Sequence, residues 1–575
     1  MVSFGAMTPS AHNPHDIAAR RARERRRKIK QRRFVALLVL IALVIVAIVA
    51  LAPHDGGDAA KDGRGGQPQA TPPDAAVYAS PEPANVSLDG DGIKISTFLG
   101  TPARRFYGLG PAPKRLDLIW KTAIGSGSTS AKYPDEAAGV WSGTGWTGMP
   151  ALIRDKGKLS LLIGGYDHNL HRIDAATGEV IWEYAFDDVI KGSPSVFANP
   201  APKGEDDAYV VLAGSRRGYP LKIDSPLVAP YRAVTFGSGK ELWRLPSPQT
   251  ESYSRDCDAS GFYLDGRQYM VLEDGWFYAL DPLTTEPWKD WQQPKVLASQ
   301  LLLGDKQTQR SHYDARLDAS NLVIESSPTL LGDTIYIASG AGFVYGLNKN
   351  DLSVTWSYKT GSDLDGTVVP TDGGRLLLPI EKEYIKGHGG LMLLDPTKTG
   401  REAPIWYFPT GDRTYADWAG GIVGSPAVND ESNRDGTRPA LTAVIGIDGY
   451  LYVISQDTLA KGKVPGPDGK QNLPTPVQVY KTWVNGGISS PIIVGDTLIA
   501  ATYDEIVHMY TISYKAAKEG QSGALPSRDG NWWKVSLKQT ASFTGGGSYE
   551  STPVLWDGRV YIGSRDGYFY CLGER

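Results

Sequence analysis

The chain has 575 residues, among them 66 glycines, 29 tyrosines and 15 tryptophans, and a formal net charge of −3. Long amphipathic helical patterns are absent, which excludes a helical bundle and favours many short strands joined by glycine turns. The charge is uneven, because residues 1–33 carry ten Lys or Arg against two acidic residues, a net of +8, which leaves −11 on the remainder. An acidic body is a poor candidate for binding nucleic acid.

The N-terminal 84 residues divide into three segments. A basic tail, residues 1–33, runs directly into 19 uncharged apolar residues, 34–52. That length is enough for one transmembrane helix, and the arginines before it predict a cytoplasmic N-terminus and an extracytoplasmic body. A cleaved signal peptide is the alternative, since Ala50-Leu51-Ala52 fits a cleavage site. Residues 53–84 are rich in Gly, Pro, Ala and Asp and predict a flexible linker.

Residues 85–575 contain an internal repeat. Each unit combines short β-runs such as "DTIYIAS" with a turn that leads to a tryptophan, as in "LHRIDAATGEVIWEY" (170–184). A Ser/Thr-Pro step precedes the β-runs at 191–194, 325–328, 423–426, 488–491 and 550–553, and degraded copies occur at 147–150, 258–261 and 365–368. Eight four-stranded units at periods near 45–70 residues predict an all-β, eight-bladed propeller.

The last unit is incomplete in the sequence. Its first three strands fall within 549–573, and the chain stops at Arg575 before a tryptophan is reached. Another segment, "RLDLIWKTAIG" (115–125), presents Trp120 without preceding strands of its own. We therefore predict that this N-terminal strand completes blade 8 and covers an otherwise open sheet edge.

The pattern D-x-x-T-G-x-x-x-W at 174–182 resembles the tryptophan-docking motif of the PQQ-type β-propeller repeat. The resemblance covers about 115–575 and includes both quinoprotein dehydrogenases and BamB-like assembly proteins of the bacterial envelope. It implies the propeller fold and does not choose between these functions. The tryptophans expected to dock between blades are Trp120, Trp182, Trp243, Trp356, Trp406 and Trp533.

For a quinoprotein enzyme, the resemblance implies a quinone over the propeller axis, held by calcium, carboxylates and two adjacent cysteines. This chain has two cysteines, Cys257 and Cys571, which lie far apart, and no C-x-x-C-H haem motif. We expect no cofactor, and binding of PQQ and Ca²⁺ is the alternative. His171 invites a metal interpretation, but other units place Tyr278 and Tyr345 at its position, which favours a structural role.

One set of aligned positions suggests a binding site. Two residues before each Ser/Thr of the Ser/Thr-Pro step, at one mouth of the predicted channel, stand Thr147, Lys191, Asp258, Glu325, Asp365, Val423, Ile488 and Glu550. The four carboxylates predict a metal or basic-ligand site, because acids crowded at a narrow mouth favour a bound cation. Four solvated rim acids are the alternative.

Long loops flank this mouth at 126–146, 292–323 and 411–422. They carry aromatic residues that suit a protein, peptide or glycan partner, or that instead fold back over the channel: Trp141, Trp146, Tyr415 and Trp418. The sequence therefore predicts a membrane-anchored binding or scaffolding module at the cell envelope. The alternative function is a quinone-dependent dehydrogenase with an atypical site.

Overall fold

The computed structural model describes residues 86–133, 136–146, 148–219 and 221–575. The predicted basic tail 1–33, transmembrane helix 34–52 and linker 53–84 lie outside the described residues. Within the described ranges, no helix is both long enough and apolar enough to cross a membrane.

Eight antiparallel sheets form the ring, which confirms the predicted eight-bladed propeller. Strands near the axis are buried on both faces, because neighbouring blades cover each sheet. The strands of blades 1 to 4, from the axis outward, are Ala151–Asp155, Lys158–Gly164, Asn169–Asp174 and Val180–Ala185; Ser195–Ala198, Tyr209–Gly214, Tyr231–Thr235 and Glu241–Leu245; Phe262–Leu264, Arg267–Val271, Trp276–Trp288 and Trp291–Leu301; Thr329–Leu331, Thr334–Ser339, Phe343–Asn348 and Val354–Lys359.

The strands of blades 5 to 8, in the same order, are Val369–Pro370, Leu376–Ile380, Gly390–Leu394 and Pro404–Pro409; Ala427–Val428, Leu441–Ile445, Tyr450–Pro465 and Asn472–Trp483; Ile492–Val494, Thr497–Ala501, Ile506–Ala517 and Trp532–Thr544, with Ala524–Pro526 at the outer edge; Val554–Trp556, Arg559–Gly563, Tyr568–Gly573 and Asp117–Ala123.

Blade 8 is closed by the N-terminal strand, as predicted. Asp117–Ala123 pairs antiparallel with Tyr568–Gly573, and Trp120 stands opposite Cys571. The Trp120 indole donates a hydrogen bond across to blade 1, at 3.1 Å from the carbonyl oxygen of Ala175. The two ends of the propeller are therefore joined without a covalent link, and no sheet edge is left open at this seam.

Four further tryptophans repeat the Trp120 contact with the next blade. Their indole nitrogens donate to backbone carbonyls at 2.7–2.9 Å, in the pairs Trp182–Phe236, Trp243–Pro282, Trp356–Lys398 and Trp406–Gln456. Trp533 differs, because it lies near the tip of the long outer hairpin of blade 7 and donates to Ser527 of its own blade. A similar tip position is taken by Trp288, which faces Trp291 across a turn in blade 3.

The Ser/Thr-Pro steps form a belt of hydrogen bonds around the axis. In each step a backbone N–H donates to the serine or threonine hydroxyl of the following blade, over distances of 2.7–3.4 Å. The donor–acceptor pairs run Met149–Ser193, Ser193–Ser260, Ser260–Ser327, Ser327–Thr367, Thr367–Ser425, Ser425–Ser490 and Ser490–Thr552. Blade 1 has Met149 at this position, and the belt closes through the Gly148 carbonyl, which accepts from Thr552 at 3.2 Å.

Residues 92–109 plug the channel at the mouth opposite the four aligned acids. The sequence did not reveal this plug. The plug adds Gly92–Ile95 to the inner strand of blade 1 and Gly108–Leu109 to that of blade 8. Between them, the buried Arg104 guanidinium donates to the carbonyls of Phe98, Ser260 and Pro328 at 2.6–2.9 Å. One side chain thus ties the plug to blades 3 and 4.

Three loop hairpins stand over the opposite mouth. They pair Ser126–Thr129 with Gly139–Ser142, Tyr313–Asp314 with Ala319–Ser320, and Asp412–Tyr415 with Trp418–Gly420. The second follows the short α-helix Lys306–Ser311, which Asp305 caps. Two 3₁₀ turns, Gly400–Glu402 and Asp430–Ser432, complete the elements.

Candidate functional site

The open mouth of the channel encloses a cavity of about 490 Å³ beneath the loop hairpins. Its walls carry four basic side chains, Lys132, Lys191, Arg216 and Arg565. Against these stand ten acidic ones: Glu136, Asp256, Glu273, Glu325, Asp363, Asp365, Glu381, Glu383, Asp417 and Glu550. The excess of carboxylates makes this cavity suitable for a cation.

The four predicted acids share one position in the fold but do not form one site. Asp258, Glu325, Asp365 and Glu550 each lie four residues ahead of the inner strand of their blade. Asp258 and Glu325 join Glu273, with carboxylate oxygens within 4.8 Å of one another. Asp365 is grouped with other acids of blade 5, and Glu550 is paired at 2.7 Å with Arg565.

We call the first group the Lys191 cluster: Lys191, Asp258, Glu273 and Glu325. The Lys191 ammonium forms an ion pair with the buried Asp258 carboxylate and lies 4.9 Å from the centre of the Trp146 ring. Burial alone would lower the pKa of Lys191, but Asp258 and Glu325 outweigh burial and hold it above its usual value. Burial raises the pKa of Glu325 to about 8, although Lys191 acts in the opposite direction.

The second group, the blade 5 cluster, consists of Asp363, Asp365, Glu381 and Glu383. Among the described residues, no basic side chain forms an ion pair with these four carboxylates. Burial and the neighbouring Asp363 and Glu325 carboxylates raise the pKa of Asp365 well above its usual value. Burial and Glu383 raise the pKa of Asp363 to about 7. Such shifts are expected where carboxylates crowd without a cation between them.

Several buried oxygens of the two clusters have no hydrogen-bond donor. They are Asp258 Oδ1, Glu273 Oε1, Glu325 Oε2 and Asp363 Oδ1, and Asn321 Oδ1 beside Asp363 is a further one. All of these residues except Asp258 line the cavity. The Glu273, Asp363 and Asn321 side chains are only 2%, 5% and 9% exposed. A buried acceptor without a donor is unfavourable by about 1–3 kcal/mol, so a group of them at one cavity is typical of a site that awaits a ligand.

Sequence reasoning missed Glu273 because it does not lie at the aligned Ser/Thr-Pro position. It belongs to a second ring, two residues after the second strand of each blade. That ring holds Tyr166, Arg216, Glu273, Ala341, Lys382, Ile447, Tyr503 and Arg565. An alignment of the blades on the end of this strand would have found it.

The predicted aromatic residues fold inward, which was the alternative interpretation of these loops. Trp146 and Trp418 stack with ring centres 6.0 Å apart, and Tyr415 stacks on Tyr503 at 4.7 Å. Together they cover Val423, Ile447 and Ile488 in one apolar cluster. Trp141 packs on Tyr166 at 5.2 Å. These side chains wall the mouth above blades 6 and 7 and, at Trp141, above blade 1.

His171 occupies a structural position. Its ring nitrogens lie 3.1 Å from Asp167 and 3.3 Å from Glu183, which taken alone resembles a metal site. The same arrangement recurs where no metal is needed: Asp504 accepts from His508 at 3.1 Å and Asp448 from Tyr452 at 2.5 Å. An aspartate that anchors a turn and holds the aromatic residue four positions later is thus a feature of the repeat.

A quinone cofactor, which the resemblance implies for the enzymes, does not fit this mouth. A tricarboxylate needs several free positive charges, but three of the four basic side chains are paired: Lys191 with Asp258, Arg216 with Asp256 at 2.6 Å, and Arg565 with Glu550. In the described lining this leaves Lys132 alone without an ion pair. Both cysteines are buried and unpaired, and burial raises the pKa of Cys571 to about 12. The donor set around the cavity favours a cation over an anion.

The docked tryptophans, the hydroxyl belt and the circular closure make this protein an eight-bladed β-propeller with a repeated tryptophan contact between blades. No model of a known protein family matches the chain, and neither does any curated protein.

Several solved structures are similar to this chain at low sequence identity. BamB from Moraxella catarrhalis is 13% identical over 80% of this chain and 98% of its own, with a TM-score of 0.43. The computationally designed Ika8 protein is 10% identical over 75% and 97%, with a TM-score of 0.42. A europium-containing methanol dehydrogenase is 10% identical over 81% and 89%, with a TM-score of 0.49.

Proposed function

We propose that this protein is an extracytoplasmic binding module that takes a cationic ligand in the axial cavity and is tethered to the membrane by residues 34–52. The observation that carries the proposal is the group of buried oxygens without donors in the acidic cavity. In a cation complex these oxygens would gain a partner, and the repulsion among the carboxylates would fall.

If the cation is a metal, the structure favours a ligand set different from the one predicted by alignment. Glu273, Glu325, Asn321 and Asp363 offer oxygens without donors, which suits Ca²⁺. Asp365 lies next to this set, whereas Glu550 is already neutralised by Arg565 and Asp258 by Lys191. The carboxylates of the Lys191 and blade 5 clusters would therefore form the site.

The placement of the cavity supports a scaffolding role at the envelope. One mouth of the channel is plugged by residues 92–109, so a partner reaches the cavity only from the side of the loop hairpins. The linker predicted at residues 53–84 would connect the proposed anchor to the propeller.

Calorimetric titration of the purified protein with CaCl₂ and with PQQ tests the proposal. We expect Ca²⁺ to bind and Glu325→Gln to weaken it at least about tenfold, because a charged ligand is lost. Glu205→Gln, on the exposed outer surface, is the matched control. Micromolar PQQ binding that depends on Ca²⁺ and on Glu325 would overturn the binding-module proposal in favour of the dehydrogenase.

The membrane tether has its own test. A reporter that is active only outside the cytoplasm, fused after Arg575, should be active, and the protein should pellet with membranes. Release of soluble protein with a new N-terminus at Pro53 would instead establish the cleaved signal peptide.

A further inference from the structure

We propose that the ligand of the axial cavity is an aliphatic polyamine, a chain that carries two or more ammonium groups. This inference rests on the proposed cation-binding function and gives the cation a chemical class. The cavity is larger than one ion requires, since a water molecule takes up about 30 Å³ of liquid and the cavity measures about 490 Å³. A second hollow of about 590 Å³ adjoins it through Ser130, Lys132 and Tyr253.

The protein already shows how this mouth binds an ammonium group. Lys191 carries its ammonium on an aliphatic stem, pairs it with Asp258 and rests it 4.9 Å from the Trp146 ring centre. A carboxylate together with an aromatic face is the environment that alkylammonium ions prefer. Carboxylates also line the cavity on the side of blade 5, where none of the described basic side chains forms an ion pair with the blade 5 cluster.

Two separate sets of acceptors are left for a ligand. Glu273 and Glu325 supply one set, next to Lys191, and Asn321 and Asp363 supply the other, at the edge of the blade 5 cluster. An ammonium group has three donors and no acceptor, so each set can take one such group. A ligand with two charges therefore satisfies both sets, whereas a monoamine leaves one of them without donors.

The walls distinguish an amine from a metal ion. A divalent ion placed among Glu273 and Glu325 would lie beside the Lys191 ammonium, which repels it more strongly than it repels one ammonium group, so we expect Ca²⁺ to bind more weakly than spermidine. An ammonium carries half that charge and brings methylene groups with it. Those methylenes would contact the aromatic faces of Trp146, Trp418 and Tyr253, which supply no ligand atom for a metal ion.

Titration of the purified full-length protein with spermidine, butylamine and CaCl₂ tests the inference. We expect spermidine to bind at least about tenfold more tightly than butylamine, because it fills both acceptor sets. Glu325→Gln and Asp363→Asn should each weaken spermidine about tenfold, and Trp146→Leu should weaken spermidine but not Ca²⁺. Glu205→Gln should bind like the native protein.

A second measurement needs no variant. A water-soluble carbodiimide should couple bound spermidine to Glu273, Glu325 or Asp363, and peptide mass spectrometry would locate the new amide. Coupling confined to surface carboxylates would overturn the inference.

The remaining outcomes separate this inference from the proposed function. If Ca²⁺ binds and spermidine does not, the polyamine inference falls while the cation-binding function stands. If neither binds, both fall. A peptide of sequence Gly-Lys-Gly-Lys-Gly, blocked at both ends, tests the other source of ammonium groups. Binding of the peptide tenfold tighter than spermidine would assign the cavity to lysines of a partner protein and overturn the free-amine inference.

Discussion

Blades 3 to 5 and blades 6 to 8 line the channel mouth from the same position, four residues ahead of the inner strand. In the first group this position holds Asp258, Glu325 and Asp365, and in blades 6, 7 and 8 it holds Val423, Ile488 and Glu550, the last of which is paired with Arg565. The acidic half presents carboxylates to the cavity, whereas stacked aromatic side chains cover the positions of blades 6 and 7 in the apolar half. The fold places this position at the channel mouth in every blade. The residue type at the position can therefore vary between blades without disturbing the sheets.

The comparison also shows what keeps the two halves together. The hydroxyl belt passes through both without interruption, and the plug residue Arg104 bonds to blades 3 and 4 from below. The carboxylates proposed to bind the ligand therefore lie in one half, whereas all eight blades contribute to closing the ring.

The largest effect is expected where a buried ion pair of the acidic half is broken. Lys191→Met leaves Asp258 buried without a cation and should destabilise the protein by about 3–5 kcal/mol near neutral pH. The corresponding change in the apolar half, Arg565→Met, should lower the free energy of unfolding by about 1 kcal/mol. The reason is exposure, since Lys191 and Asp258 are 10% and 0% exposed, and Arg565 and Glu550 are 26% and 15% exposed.

Chemical denaturation of both variants measures this difference. Adding Asp258→Asn to Lys191→Met should recover part of the loss, because the unpaired charge is then gone. Equal destabilisation by Lys191→Met and Arg565→Met would contradict the distinction between the two halves.

The next largest effect concerns the seam. Trp120→Ala removes the indole that joins blade 8 to blade 1 and packs against Tyr561 and Phe569. We expect a loss of about 3 kcal/mol, the usual range for a truncated aromatic at an interface of the core. Trp483→Ala, at a side chain that is 55% exposed, serves as the control. Identical melting of these two variants would refute the closure by Trp120.

A smaller effect is expected in the pH dependence of the acidic half. Glu325 has a pKa of about 8 in the folded protein and about 4.3 when unfolded. Between these values the folded state holds a proton that the unfolded state has released. The stability from Glu325 is therefore complete below pH 4.3 and is lost as the pH rises through about 8.

Glu325→Gln removes this titration, so from pH 6.5 to pH 8 the native protein should lose about 2 kcal/mol more than the variant. Denaturation curves at pH 5, 6.5 and 8 measure the difference. Parallel pH profiles would show that the Glu325 carboxyl is ionised throughout and that the acidic half is less buried than described.

The smallest effect should be the same in both halves. Ser327→Ala and Ser425→Ala each remove one hydroxyl of the belt, which accepts from the preceding blade at 2.9–3.0 Å. Each should cost about 1 kcal/mol and leave a backbone N–H without an acceptor. A much larger loss for one of them, by thermal or chemical unfolding, would mean that the belt does not support both halves equally.

Much of the fold was predictable from sequence. The repeated Ser/Thr-Pro steps and tryptophans specify eight blades, and the lone Trp120 strand specifies the closure, because each pattern is local and periodic. Trp533 was assigned to the docking set by its residue type, and its position near a hairpin tip depends on the length of the hairpin, which the local pattern does not report. The ring of aligned positions also indicated where the acids converge.

Only the tertiary structure decided how those acids are grouped. Glu273 joins Asp258 and Glu325 from a different loop, and the approach of these loops is set by the packing of neighbouring blades. The plug at 92–109 has no repeat signature, and it is held by strand pairing with blades 1 and 8 and by hydrogen bonds to blades far away in sequence. Local patterns determine the blades because each blade satisfies its own backbone, whereas the cavity forms only where eight of them meet.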